Sequence, residues 1–346
     1  MSDQPPQPNK ASVFTELVLI GGAIAMGLAV GYIVLSYAMI PGLGFPGGLQ
    51  RIMLVDERLS QNASDARIVI VSNSVGVEVV EGKVVERQLG SGFSVENQSA
   101  NGLDLLSARI YIGRVLESEP HMLVWIIRPE MMGRIDKINP EVASAMRYSD
   151  FDRTADWIVT EQVPGLDDKS IELLQASNIE NRLSLRTLPL RHLNEQVRTR
   201  TRKGILPAKP LEVDAPFQIA VNLTGDKLQR HIDDVTDSFH VRTAGEVRDG
   251  FGFIERTVEQ IRSTSTIPVL VAAPTHPLAD DFTQADEEFV DGLIEIAERT
   301  GVRVIDLSGT LSPEEFADAI HPNREGAEHL SRLLGSALNS TAGVRD

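Results

Sequence analysis

Between residues 66 and 338, short apolar runs alternate with longer segments that carry an apolar residue every three or four positions. The run IVIV closes a predicted strand over 66–71, and 76–89 follows with Val77, Val80 and Val84 on one helical face. Gly90-Ser91-Gly92 breaks that helix. A second strand is expected over 93–96, a helix over 103–117, and a third strand over 122–127 (MLVWII). The rhythm resumes far downstream, with helices over 246–262, 286–300 and 324–338 and strands over 268–272 and 302–307. Strands that are apolar throughout and separated by amphipathic helices predict a mostly parallel sheet covered on both faces. The expected fold is therefore a doubly wound, flavodoxin-like α/β domain, with its site at the carboxyl ends of the strands.

The rhythm fails in two places. From 17 to 40 the chain reads LVLIGGAIAMGLAVGYIVLSYAMI, without one charge. As a helix this run is roughly 36 Å long, enough to cross a bilayer. A cleaved signal peptide fits less well: Ala23-Ile24-Ala25 looks like a cleavage site, but the apolar run continues beyond it. A buried core helix of this length would be unusual. The second break lies between Arg128 and Phe217, too long for a simple connection and expected to form a helical lid. The predicted organisation is a disordered tail (1–12), a transmembrane helix (13–40), a linker (41–65), an α/β domain (66–340, insertion about 129–216) and a short tail (341–346). The linker opens with the turn-rich PGLGFPGGLQ and closes with a short helix over 49–61.

Composition narrows the chemistry. The 346 residues are 42% hydrophobic and include no cysteine, which excludes disulfides, thiolate catalysis and cysteine-bound zinc. A formal charge of -16 argues against nucleic-acid binding. Against this acidity, RTLPLRHLNEQVRTRTRK (186–203) is a local reversal of sign. It reads either as a solvated helix face or as a contact for anionic lipid or an acidic polymer. HIDDVTDSFH (231–240) reads as a polar surface helix or as a set of metal ligands at helical spacing. No phosphate-cradling glycine loop occurs, and no cofactor is expected.

Two polar stretches stand where chemistry is expected. Ser72-Asn73-Ser74 follows the first strand, and Ser74 is either a helix cap or a nucleophile. A serine nucleophile needs a base and a group to orient that base. Asp318 and His321, in DAIHPN before the last helix, can supply both, while Asn323 can cap that helix.

With these blocks in this order, the chain resembles the SGNH (GDSL-type) hydrolases and acyltransferases. The resemblance implies a Ser-His-Asp triad of Ser74, His321 and Asp318. It places oxyanion donors at the N–H groups of Ser74 and Gly102, the latter within VENQSANGLD after the second strand. The family's third block carries an asparagine side chain that completes the oxyanion hole, and here IIRPEMMG has none. Arg128 is an electrostatic substitute, with Glu130 either repelling the developing charge or pairing with Arg128. His276, after the fourth strand, is expected on the rim of the site, either as a substrate contact or as a plain loop histidine. Preceded by a membrane helix, such a domain looks like the accessory proteins that work beside membrane-bound O-acyltransferases in bacterial envelopes. That implies a single-pass protein of the bacterial cytoplasmic (inner) membrane whose domain faces outward, toward a glycan or acyl-ester substrate. A catalytically inactive scaffold or glycan-binding module is the other expectation.

Overall fold

A computed structural model describes residues 66–132 except 91 and 101, then 135, 168, 222–239, 244–277 and 280–342. It also describes helical positions 20–24, 26–28 and 30. Five strands form one parallel sheet in the order β2-β1-β3-β4-β5. They are β1 (Arg67–Val71), β2 (Ser94–Asn97), β3 (Met122–Ile127), β4 (Ile267–Ala272) and β5 (Arg303–Asp306). The helices are α1 (Ser74–Val79), α2 (Gly82–Leu89), α3 (Leu105–Leu116), α4 (Asp226–Phe239), α5 (Ala244–Arg262), α6 (Asp280–Thr300) and α7 (Arg324–Ala342).

Side chains on a strand alternate between faces, so a strand covered on both sides must be apolar at every position. Val69, Val71, Leu123, Trp125 and Ile127 join one core with residues of α3, α5 and α6. Ile68, Ile70, Met122, Val124 and Ile126 join the other with α2 and α7. Those two cores are the doubly wound arrangement that the pattern predicts. The chain leaves β1 toward β2 on one side and reaches β3 on the other, so a topological switch point lies at the carboxyl end of β1.

The expected helix over 76–89 is two helices, broken at Val80 and Glu81. Val80 is extended (φ -107°, ψ 110°), and neighbours take up the polar groups left at the break. The Asn97 amide donates to the Gly76 and Val80 carbonyls at 2.8 and 2.7 Å. Glu81 N–H donates to Ser331 Oγ at 2.9 Å. No local periodicity signals a break that depends on β2 and α7.

The expected membrane helix lies mostly outside the described residues. Among the described residues no helix is long and apolar enough to cross a membrane. The described positions between 20 and 30 are helical, and Ile20, Ile24, Met26, Leu28 and Val30 are all exposed. The linker and nearly all of the expected lid, with its basic run, also lie outside the described residues. Of the insertion's start, Pro129–Met131 form a 3₁₀ turn.

Candidate active site

Ser74 is the first residue of α1, directly above the end of β1. Asn73, not Ser74, is the cap: its side chain accepts from Val75 N–H at 3.1 Å. Ser72 is fully buried and ties β1 to β3 by donating from Oγ to the Ile126 carbonyl at 2.9 Å. A Cβ on Gly76 would lie 2.3 Å from Ser99 Oγ and 2.4 Å from Ser72 Cβ. Only glycine lets the first turn of α1 settle this closely onto the sheet edge and hold Ser74 above it.

His321 meets Ser74 across 247 residues of chain, its Nε2 lying 3.2 Å from Ser74 Oγ. Its Nδ1 lies 2.9 and 3.1 Å from the two carboxylate oxygens of Asp318. The ionised carboxylate accepts only, so the imidazole proton belongs on Nδ1 and Nε2 is left as acceptor for the serine hydroxyl. Asp318 Oδ1 also accepts from Ile320 N–H and His321 N–H, both at 2.8 Å. Burial pushes the Asp318 carboxyl up. The His321 hydrogen bond and charge, with the two backbone N–H groups, outweigh that and hold it below its ordinary value.

The loop carrying this pair is braced on all sides. Ala317 N–H donates to the His321 carbonyl at 2.8 Å, and Phe316 bridges Pro322. Asn323 caps α7, its Oδ1 accepting from Glu325 and Gly326 N–H at 3.0 and 3.1 Å. Gly326 is needed because a Cβ there would sit 2.2 Å from the Glu315 carbonyl oxygen. A contact that the sequence did not signal comes from α4 and its approach. Leu223 N–H donates to the Ala317 carbonyl at 2.6 Å. Ala319 N–H donates to His231 Nδ1 at 3.4 Å, and Ile232 packs on Ala319. His231 thus turns toward the loop, while Asp233 and Asp234 face outward. No group of three or more metal-ligating side chains occurs among the described residues.

Gly102 lies in the exposed turn between β2 and α3, with φ at 77°, a conformation that favours glycine. The β2 exit runs beside the β1 exit, because Ala100 N–H donates to the Ser72 carbonyl at 3.0 Å. Ser74 and Gly102 therefore stand at the same edge of the sheet.

Two expectations need correction. Arg128 is not presented to a substrate: it is 0% exposed, its Nε 2.9 Å from Glu130 Oε1 and its Nη1 donating to the Ile320 carbonyl at 2.8 Å. Glu130 takes the second of its two expected roles, the ion pair with Arg128, rather than facing the hole. A charge at the end of a fully apolar strand must find a buried partner, and that was the available signal.

His276 is not on the rim. It is 2% exposed, lies edge-on to Phe316 with ring centroids 5.1 Å apart, and donates its backbone N–H to the Ala319 carbonyl at 3.3 Å. It supports the loop from beneath. Burial holds its imidazole below the ordinary value of 6.5, against the opposite pull of Asp318 and Glu314. The folded protein then binds fewer protons here than the unfolded chain, so this contribution to stability is complete above pH 6.5 and fades as pH falls through the folded value. Asp318 loses its contribution in a lower window, below its ordinary 3.8. The urea midpoint of the native protein is expected to begin falling below about pH 6.5. A His276→Gln variant, less stable at pH 8, should fall less steeply over that interval, and parallel curves would refute the assignment.

A 2-1-3-4-5 parallel sheet, a serine at its switch point and an Asp-His loop before the last helix define the class: an α/β domain with the geometry of a serine hydrolase centre. No family model matches the chain, and neither does any curated protein. Among solved structures it is similar to an inferred acylhydrolase from Bacteroides fragilis, at 13% identity and TM-score 0.39, covering 86% of this chain and 98% of the other. It is similar also to an aryl esterase of M. smegmatis (12% identity, TM-score 0.37, 80% and 98% covered). A carbohydrate acetylesterase of Sinorhizobium meliloti overlaps in the same way (9% identity, TM-score 0.36, 80% and 98% covered). Overlaps this loose transfer no function.

Proposed function

We propose that the protein is a membrane-anchored serine esterase or O-acyltransferase of the SGNH type, acting outside the cytoplasm on O-acyl groups of a cell-surface glycan. The observation that carries this reading is the contact of Ser74 Oγ with His321 Nε2, backed by Asp318. His321 takes the hydroxyl proton as Ser74 Oγ attacks the ester carbonyl, and Asp318 stabilises the imidazolium that forms. The Ser74 N–H heads a helix, where the first N–H groups have no intrahelical acceptor, and with Gly102 N–H it receives the oxyanion. The imidazolium proton passes to the leaving alkoxide as the C–O bond breaks. Water, or a sugar hydroxyl, then gives its proton to His321 and attacks the acyl-serine, and that proton returns to Ser74 as the product leaves. The uncharged run from 17 to 40 supports the anchor. The anchor in turn makes a membrane-bound O-acyltransferase a natural partner and an envelope glycan a natural substrate.

A fluorophosphonate probe tests the centre directly. Labelling of the purified protein that disappears in Ser74→Ala and His321→Ala is the expected result, together with acyl release or transfer on an O-acylated envelope glycan. Full acyl transfer by Ser74→Ala would end this reading. One observation favours a second reading, an inactive scaffold: Arg128 is turned inward at the position where the family carries its third oxyanion donor. Absence of any probe labelling in the native protein would select it.

A further inference from the structure

We propose that Arg128 is a positioning residue for His321, holding the Ile320–His321 peptide plane in the orientation that presents the imidazole to Ser74. This rests on the serine-esterase reading above and adds a role for the residue in place of the family's third-block asparagine. A peptide unit is rigid and planar, so fixing both of its polar ends fixes the direction in which the next side chain departs. Here the Ile320 carbonyl accepts from Arg128 Nη1 at 2.8 Å, and the His321 N–H donates to Asp318 Oδ1 at 2.8 Å. One end of the plane is held by the core of the sheet and the other by the residue that orients the imidazole.

Arg128 is well placed for this. It follows β3, a strand paired on both sides by β1 and β4. Its carbonyl accepts from Met131 N–H at 3.1 Å, in the short turn opened by Pro129. The guanidinium fork reaches two ways, toward Glu130 with Nε and toward Ile320 with Nη1. Glu130, 9% exposed, neutralises a cation that lies close to the base. A buried ion pair is commonly replaced by apolar side chains at little cost, so fold stability alone does not account for this one. Its reach across 192 residues to the carbonyl beside the base does.

The test uses the full-length protein and p-nitrophenyl acetate. Native turnover that vanishes in Ser74→Ala establishes the serine-esterase reading first, and its absence overturns that reading rather than this one. The double variant Arg128→Met/Glu130→Leu removes both charges of this pair together. It is expected to lose about ten- to a hundredfold in kcat, as a base displaced by about an ångström would. KM should stay within about twofold, since both side chains are buried. A folded double variant with native kcat overturns the proposal, as does one whose loss lies wholly in KM. If the double variant does not fold, Arg128→Lys and Arg128→Met are compared at equal folded fraction, because lysine keeps a cationic donor for the Ile320 carbonyl and methionine does not. A kcat at least about tenfold higher in Arg128→Lys supports the positioning role, and equal values overturn it.

Discussion

Replacing Ser74 by alanine is expected to lower ester turnover by at least about 10⁴-fold, and removing His321 should cost a similar factor. The two side chains act on one proton: the Ser74 hydroxyl is a weak nucleophile until His321 Nε2, 3.2 Å away, accepts from it. Once either is gone, the other has nothing to do. The double variant Ser74→Ala/His321→Ala should therefore be no slower than the worse single one. Steady-state kinetics on p-nitrophenyl acetate, with melting temperatures to confirm folding, checks both statements. Losses that multiply in the double variant would mean that the residues act separately and that the contact is not catalytic.

Asp318→Asn should reduce kcat by about 10⁴-fold while leaving the fold intact. The asparagine oxygen can still accept from Ile320 N–H and His321 N–H, which now donate to Asp318 Oδ1 at 2.8 Å, so the loop keeps its shape. Its amide nitrogen, however, meets His321 Nδ1 as a donor. The imidazole then carries its proton on Nε2, where it can no longer accept from Ser74. The same substitution removes an acceptor that the imidazolium needs, so substrate binding should change little while the chemical step fails. A loss of less than about tenfold would show that Asp318 orients the loop but not the tautomer.

Much of the site was legible because its parts are local. A fully apolar run ending in Ser-Asn-Ser marks the end of a strand, and Asp-x-x-His before a capped helix marks a loop that fixes a base. What escaped were the side chains whose partners lie far along the chain. Arg128 reads as a substrate or oxyanion contact at a strand end, yet it reaches the Ile320 carbonyl. His276 reads as a loop histidine, yet Phe316 and the Ala319 carbonyl close over it. His231 reads as part of a polar surface helix, yet one face of that helix docks on the loop that carries Asp318 and His321.

The sequence by itself determined the layers. Apolar residues on both faces of the three central strands β1, β3 and β4 demand cover on both sides, and the helices between them supply it, so a parallel, doubly wound sheet follows from periodicity and burial alone. It also singled out the residues proposed to carry proton chemistry, since the hydroxyl, imidazole and carboxylate stand beside the strand end and helix cap that place them. Only the tertiary structure decided that these groups meet, and that Arg128 turns inward to hold the loop instead of outward to a substrate. The physical reason is that a buried cation goes where a carboxylate and a carbonyl can both face it. That place exists only once the end of β3 and the loop before α7 have packed against each other.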